Sequence, residues 1–191
     1  MKPLNANINN GCDAVGVSKS WYIAIVNNNT ERRCSEKLTK LGLETYVPIQ
    51  SELVQQKSKK KVVDKIIFSS FVFLKASERE RLEVVKLPFI HRFMTDRAGG
   101  LDKYNRHPIA IVPEKQINQL KFMLYNSEEP VEFIDRVYRI GERIRIARGS
   151  LCGLEGNILQ QDEEDSFIVV GLDILGFAKV KVDYTDIELV S

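Results

Sequence analysis

Histidine and cysteine are scarce in this chain, and their scarcity removes most catalytic chemistry. Two histidines, His91 and His107, and three cysteines, Cys12, Cys34 and Cys152, are spread over 191 residues. Neither histidine sits in a recognisable pattern with a nucleophile or with metal ligands, so no acid–base or nucleophile set can be assembled. An odd number of widely spaced cysteines fits neither a disulfide framework nor a C-x-x-C metal site. Glycine-rich phosphate loops of the GxxxxGK[ST] or GxGxxG type are missing. An apolar run of about 18 residues is missing too, which excludes a helical membrane span. The Asn-rich start, Met1–Ser20, lacks the basic-then-apolar order of an export signal and reads as a flexible tail over 1–19. The expectation is a cytoplasmic protein with reduced thiols, no cofactor, no metal and no enzyme activity.

What is present is an ordinary apolar fraction, 43%, enough for one medium or two small cores. A net charge of +2 hides an asymmetry. Residues 1–125 hold 21 Lys and Arg against 12 Asp and Glu, or +9, whereas residues 126–191 hold 7 against 14, or −7. Two domains with different partners account for this split. The basic part suits a phosphate backbone and the acidic part does not.

The run Ile66–Leu74 (Ile-Ile-Phe-Ser-Ser-Phe-Val-Phe-Leu) predicts a central strand, apolar on both faces and therefore covered on both. On one face lie Ile67, Ser69, Phe71 and Phe73. Before it, Trp21–Val26 predicts a buried strand. Thr30 is placed to cap a helix through Leu41 with Cys34, Leu38 and Leu41 on its apolar side, and Gly42 ends it. Lys57, Lys59, Lys60 and Lys61, with Lys65, form an exposed hairpin tip. Two readings of it stand, a solvated tip that keeps a sheet edge soluble and a phosphate contact. After the central strand, Ser77-Glu-Arg-Glu80 is a capping box, its helix stopping before Pro88. Phe89–Thr95 predicts another strand, and Pro113 opens a third helix with Ile117, Leu120 and Leu124 on one side.

Asn126–Pro130 marks a linker, assigned to 126–137, between a first domain at 20–125 and a second at 138–191. Beyond it the helical period is lost. Five short strands follow, at Arg143–Ala147, Asn157–Gln161, Phe167–Leu172, Phe177–Val182 and Ile187–Val190. The fold class is α+β: an antiparallel α/β sandwich, then a small five-stranded SH3-like β-barrel. In the turn after the first of these strands, Gly149, Gly153 and Gly156 call for positive φ or close backbone approach.

The segment Arg139–Gly156 resembles the KOW motif, and the residues through Val190 extend the likeness to a KOW barrel. Trp21-Tyr22-Ile-Ala, the helix Glu31–Leu41, Tyr46-Val47-Pro48 and Phe68-Ser-Ser-Phe-Val-Phe-Leu74 together resemble the N-terminal domain of NusG-type transcription factors. The two signatures stand in the family's order and span about residues 20–190. Among members the chain is most similar to the specialised RfaH and UpxY-type antiterminators of surface-polysaccharide operons. His107-Pro-Ile-Ala-Ile-Val-Pro113 is like RfaH at that point.

The resemblance implies a monomeric elongation or antitermination factor that docks on the clamp helices of RNA polymerase. Positions matching the family's docking patch are Phe71, Phe73, Phe93 and Ile117. The other reading is that these residues pack under the protein's own helices. Arg33 matches a position near which relatives meet the non-template DNA strand, and the lysine tip is a candidate for DNA or nascent RNA; a solvated helix face is Arg33's alternative. Ile174, Leu175 and Phe177 match the loop with which NusG barrels contact a ribosomal small-subunit protein or Rho. Leu175-Gly-Phe177 replaces Phe-Gly-Arg there, so Rho binding is not carried over. Phe68-Ser-Ser-Phe71 replaces the usual Phe-Pro-Gly-Tyr or Phe-Pro-Asn-Tyr, and the His-Thr-Thr triplet of RfaH is missing. A KOW-containing module bound to ribosomal RNA is the rival reading, disfavoured by the −7 of residues 126–191.

Overall fold

The computed structural model describes residues 18–56, 59–134, 141–160, 166–172 and 175–190. Over these, it contains three α-helices and twelve strands. The first sheet is built on β1 (Ser20–Ile25), which pairs antiparallel with β5 (Phe71–Ala76) on one side and β6 (Arg92–Phe93) on the other. β2 (Glu44–Tyr46) completes the order β2-β5-β1-β6. β3 (Ile49–Gln56) and β4 (Lys59–Ile66) form a separate two-stranded arm.

Helix α1 (Glu31–Lys40) buries Cys34 and Leu38 as its period requires. Its start differs from expectation, because the Thr30 hydroxyl donates back to the Asn27 carbonyl rather than capping the helix. Its end differs too. Gly42, at φ +84°, turns the chain so that Leu43 is buried while Leu41 is left 50% exposed. Helix α2 (Glu78–Val84) carries the full capping box, Ser77 accepting from the Glu80 N–H and Glu80 accepting from the Ser77 N–H. Together α1 and α2 cover one face of the sheet, over Tyr22, Ala24, Val26, Val72, Leu74, Ala76 and Phe93.

The expected strand Ile66–Leu74 is two elements. β4 stops at Ile66, residues 67–70 turn, and β5 begins at Phe71. Ser70 adopts φ +67°, a conformation that costs a non-glycine residue and needs outside support. Support comes from Glu31, 1% exposed, whose Oε1 accepts the Ser70 N–H at 2.6 Å and the Asn29 N–H at 3.2 Å. A strand pattern read over nine residues cannot register a carboxylate more than 35 positions upstream.

The segment expected as a strand at Phe89–Thr95 shortens to Arg92–Phe93. Helix α3 (Glu114–Asn126) begins after Pro113, as expected. Beyond it, the five expected strands are present as β8 (Arg143–Ile146), β9 (Glu155–Gln160), β10 (Ser166–Leu172), β11 (Gly176–Val182) and β12 (Ile187–Leu189). A sixth, β7 (Glu132–Ile134), arises within the stretch assigned to the linker and pairs with β11, giving the antiparallel order β12-β8-β9-β10-β11-β7. Gly153 sits at φ +89°, and a Cβ on Gly156 would lie 2.5 Å from the Val169 carbonyl oxygen, so these two glycines meet the needs read from the sequence. Among the described residues no helix is long and apolar enough to cross a membrane.

Candidate partner-binding face

The second face of the first sheet decides how the expected docking patch is presented. With a period of two, β1 aims Trp21 and Ile23 to that face and β5 aims Phe71 and Phe73 there, and the register Ile23↔Phe73 and Ile25↔Phe71 sets these side chains opposite each other. Met94, Tyr46 and Phe68 border the cluster. The aromatic rings are in contact: Phe68–Phe71 at 6.3 Å, Phe68–Phe73 at 6.2 Å and Tyr46–Phe73 at 6.0 Å between centroids.

Three of the four residues expected in the patch, Phe73, Phe93 and Ile117, are buried, and two of them do not present a side chain on the open part of this face. Phe93 pairs with Ala24 and therefore points to the α1/α2 side, where it is 3% exposed and meets Tyr22 edge-on at 6.0 Å. It does not share a face with Phe71 and Phe73; its neighbour Met94 does. Ile117 is fully buried between Trp21, Ile23, Phe73 and Val112, so it is a core residue of the sandwich here. Phe73 is 1% exposed and Phe71 half-buried.

What covers this face is α3 together with the C-terminal sheet. Ile117 faces the first sheet, whereas Leu120 and Met123 enter the core formed by Ile144, Ile146, Leu154, Ile168, Val170 and Val180. Met123, not the expected Leu124, is the fully buried residue of that turn. Leu175, expected to meet a partner, packs against both cores, touching the cluster that contains Phe73. Phe133 of β7 meets Phe68 at 4.4 Å with rings 69° apart. Two surfaces that the sequence marks for separate partners thus lie against each other. Phe177 is half-buried within β11, and Ile174 lies outside the described residues.

Polar contacts hold the same junction. Gln50, 6% exposed, accepts the Val131 N–H at 3.2 Å, and Gln119 donates to the Glu155 carbonyl at 3.0 Å. Lys121 lies 4.9 Å from the centroid of Trp21 and 5.2 Å from that of Tyr46. Burial pushes the Tyr46 hydroxyl above the usual phenol range. At the outer edge Lys75 donates to Glu114 at 2.7 Å, which raises the ammonium and holds the Glu114 carboxyl below its ordinary value. The sequence offers no signal for Phe133 or Gln50, which act only through residues about 65 to 80 positions away.

The expected nucleic-acid residues lie on α1 and on the two-stranded arm. Arg33 is exposed on the helix, and its neighbour Arg32 bonds Asp64 of β4 at 2.8 Å, holding the two-stranded arm beside α1. Lys61 is exposed, on the strand face opposite Asp64. Lys59 and Lys60 pair with Gln56 and Gln55 at the arm's far end, and Lys57 lies outside the described residues. Among the described residues no cluster of His, Cys, Asp and Glu is arranged to hold a metal.

Residues 19–121, more than half of the chain, match the family described as "Transcription termination factor nusG". The chain belongs to the NusG family. Members are transcription factors, not enzymes. Among solved structures the chain is similar to one titled "Domain interaction in Thermotoga maritima NusG", with 15% identity, a TM-score of 0.48, and 91% of this chain and 98% of that one covered. It is also similar to the MjSpt4:Spt5 complex in conformation A, with 13% identity, a TM-score of 0.28, and 90% and 98% covered. Family membership rests on the family match and not on these superpositions. No curated protein matches the chain.

Proposed function

We propose that this NusG-family protein is an operon-specific elongation and antitermination factor of the RfaH/UpxY type, which binds RNA polymerase through the Phe71 and Phe73 face of β5. The observation that carries the proposal is the cover of that face. Its aromatic cluster is closed partly by Leu175, just before β11 in the domain read as a KOW barrel, and by Phe133 of β7, in the stretch assigned to the linker. A face that its own domain covers only in part, through α3, is suited to exchange the remaining cover for a partner. The described arrangement is then the closed form. Polymerase clamp helices compete with Leu175 and Phe133, and the shift toward the open form is as large as the difference in affinity for the two. Phe71, half-buried at the border, is the anchor reachable without unfolding the sheet, and Phe73 lies beneath it.

Arg33 and Lys59–Lys61 serve DNA or nascent RNA in this reading. The loop at Leu175 and Phe177 reaches a ribosomal small-subunit protein only after the domains part. The rival, a ribosomal-RNA module, is poorly served by an acidic C-terminal part.

The test is capture of RNA polymerase by the tagged full chain, with Phe71→Ala and Leu175→Asp beside the wild type. Polymerase retained by the wild type, lost in Phe71→Ala and increased in Leu175→Asp supports the proposal. Capture of ribosomes in place of polymerase overturns it.

A further inference from the structure

The loop between β6 and α3 carries a second surface of a different kind. Its neck is closed by the Thr95↔Ile109 bridge and by the Asp96 N–H, which donates to the Pro108 carbonyl at 2.9 Å. Gly99 packs so tightly on Pro108 that a Cβ would lie 2.6 Å from its ring. Beyond the neck every residue from Leu101 to Pro108 is exposed, yet the tip is ordered by one carboxylate. Asp102 Oδ1 accepts the N–H groups of Tyr104 at 2.8 Å and Arg106 at 2.9 Å, and Oδ2 accepts from the Arg106 guanidinium at 3.2 Å. Those bonds hold the Asp102 carboxyl below its ordinary value, and Asn105 at φ +61° completes the turn.

The consequence is an aromatic ring held outward among cations. Tyr104 is 64% exposed. Lys103 Nζ and Arg106 Cζ each lie 5.0 Å from its centroid. Asp102 pairs with the Arg106 guanidinium through Oδ2, yet the Arg106 side chain remains 70% exposed. Arg97 and His107 are exposed on the same loop. A large ring kept in water by a pre-ordered turn covers no core, and its cation–π contacts are weak at an exposed site. A flat π-face with flanking cations matches one ligand chemistry well: an unpaired base to stack and its phosphates to neutralise. Pre-ordering lowers the entropy lost on binding.

We propose that the Tyr104 loop is a stacking site for single-stranded nucleic acid, with Tyr104 stacking a base and Lys103, Arg106 and Arg97 meeting the backbone. It is separate from the aromatic face of β5 and from the lysine arm, and it does not depend on polymerase binding.

The experiment measures binding of fluorescent oligo-dT, oligo-rU and a duplex to the full chain by anisotropy at low salt. The variants are Tyr104→Ala, Tyr104→Phe, Lys103→Ala and Lys61→Ala. Stacking predicts that Tyr104→Ala weakens single-strand binding about fivefold or more while Tyr104→Phe stays near wild type. Lys103→Ala reduces the salt slope by about 0.7. Tighter oligo-dT assigns the site to DNA and tighter oligo-rU to RNA. The proposal is overturned if Tyr104→Ala binds within twofold of wild type, if Tyr104→Phe is as weak as Tyr104→Ala, or if duplex binds more tightly than single strands. Loss of affinity in Lys61→Ala alone assigns binding to the arm and likewise overturns it.

Discussion

The ring of Phe68, in the turn before β5, meets the ring of Phe133, in β7, at 4.4 Å in an edge-to-face pair. With Leu175 and Gln50, this contact ties the N-terminal part to the C-terminal sheet at the border of the proposed docking face. An edge-to-face pair adds about 0.5–1.5 kcal/mol beyond the apolar area it buries, so it is a measurable part of the closed arrangement.

Phe133→Ala is therefore expected to favour the open form by about tenfold or more, from the lost ring pair and lost apolar contact. Small-angle scattering on the full chain should show a larger radius of gyration, and polymerase capture should rise. An unchanged radius with unchanged capture means that the closed form does not limit binding.

Glu31→Ala should destabilise the N-terminal sheet by about 1–3 kcal/mol, because the part-buried N–H of Ser70, held at positive φ, loses its acceptor, while that of the exposed Asn29 keeps Asn28 Oδ1. Glu31→Gln keeps an acceptor oxygen and should cost less. Urea unfolding of the two variants decides this, and equal losses would show that the charge, not the acceptor, supports the turn.

Ile117→Ala should cost about 2–5 kcal/mol, the range for a buried aliphatic side chain that leaves a cavity. The readout is the thermal midpoint of the full chain. Lower polymerase affinity with unchanged stability would return Ile117 to the docking patch.

Stability should fall in acid partly through Glu78. The Arg81 guanidinium bonded to it holds its carboxyl below the ordinary value of 4.5. A depressed carboxylate contributes stability that is present above its unfolded pKa and lost as pH falls through the folded value. The window therefore lies below about pH 5, and the exposed Glu78 limits the effect to no more than about 1 kcal/mol. At the other extreme, burial raises the Tyr46 hydroxyl above its ordinary value of 10.0, so its contribution is present below pH 10 and lost as pH rises beyond it. Urea midpoints against pH for the wild type, Glu78→Gln and Tyr46→Phe check both limits. A Glu78→Gln profile as steep in acid as the wild type would remove Glu78 from the account.

Local signals determined much of this protein. The spacing of Cys34 and Leu38, the Ser77–Glu80 capping box, Pro113 before α3 and the turn-separated strands from Arg143 onward are short-range patterns, each satisfied by the backbone within one or two turns of itself. The family, too, was legible from motifs in order along the chain. Tertiary structure alone decided three matters. It broke the run at Ile67–Ser70, because a carboxylate on α1 holds Ser70 at positive φ. It turned Phe93 away from Phe71 and Phe73, because pairing with Ala24 sets its face, and a shift of one residue reverses a strand. It laid Leu175 and Phe133 on the aromatic face. Side-chain periodicity says which residues must be covered; what covers them depends on contacts between distant segments, which no local pattern encodes.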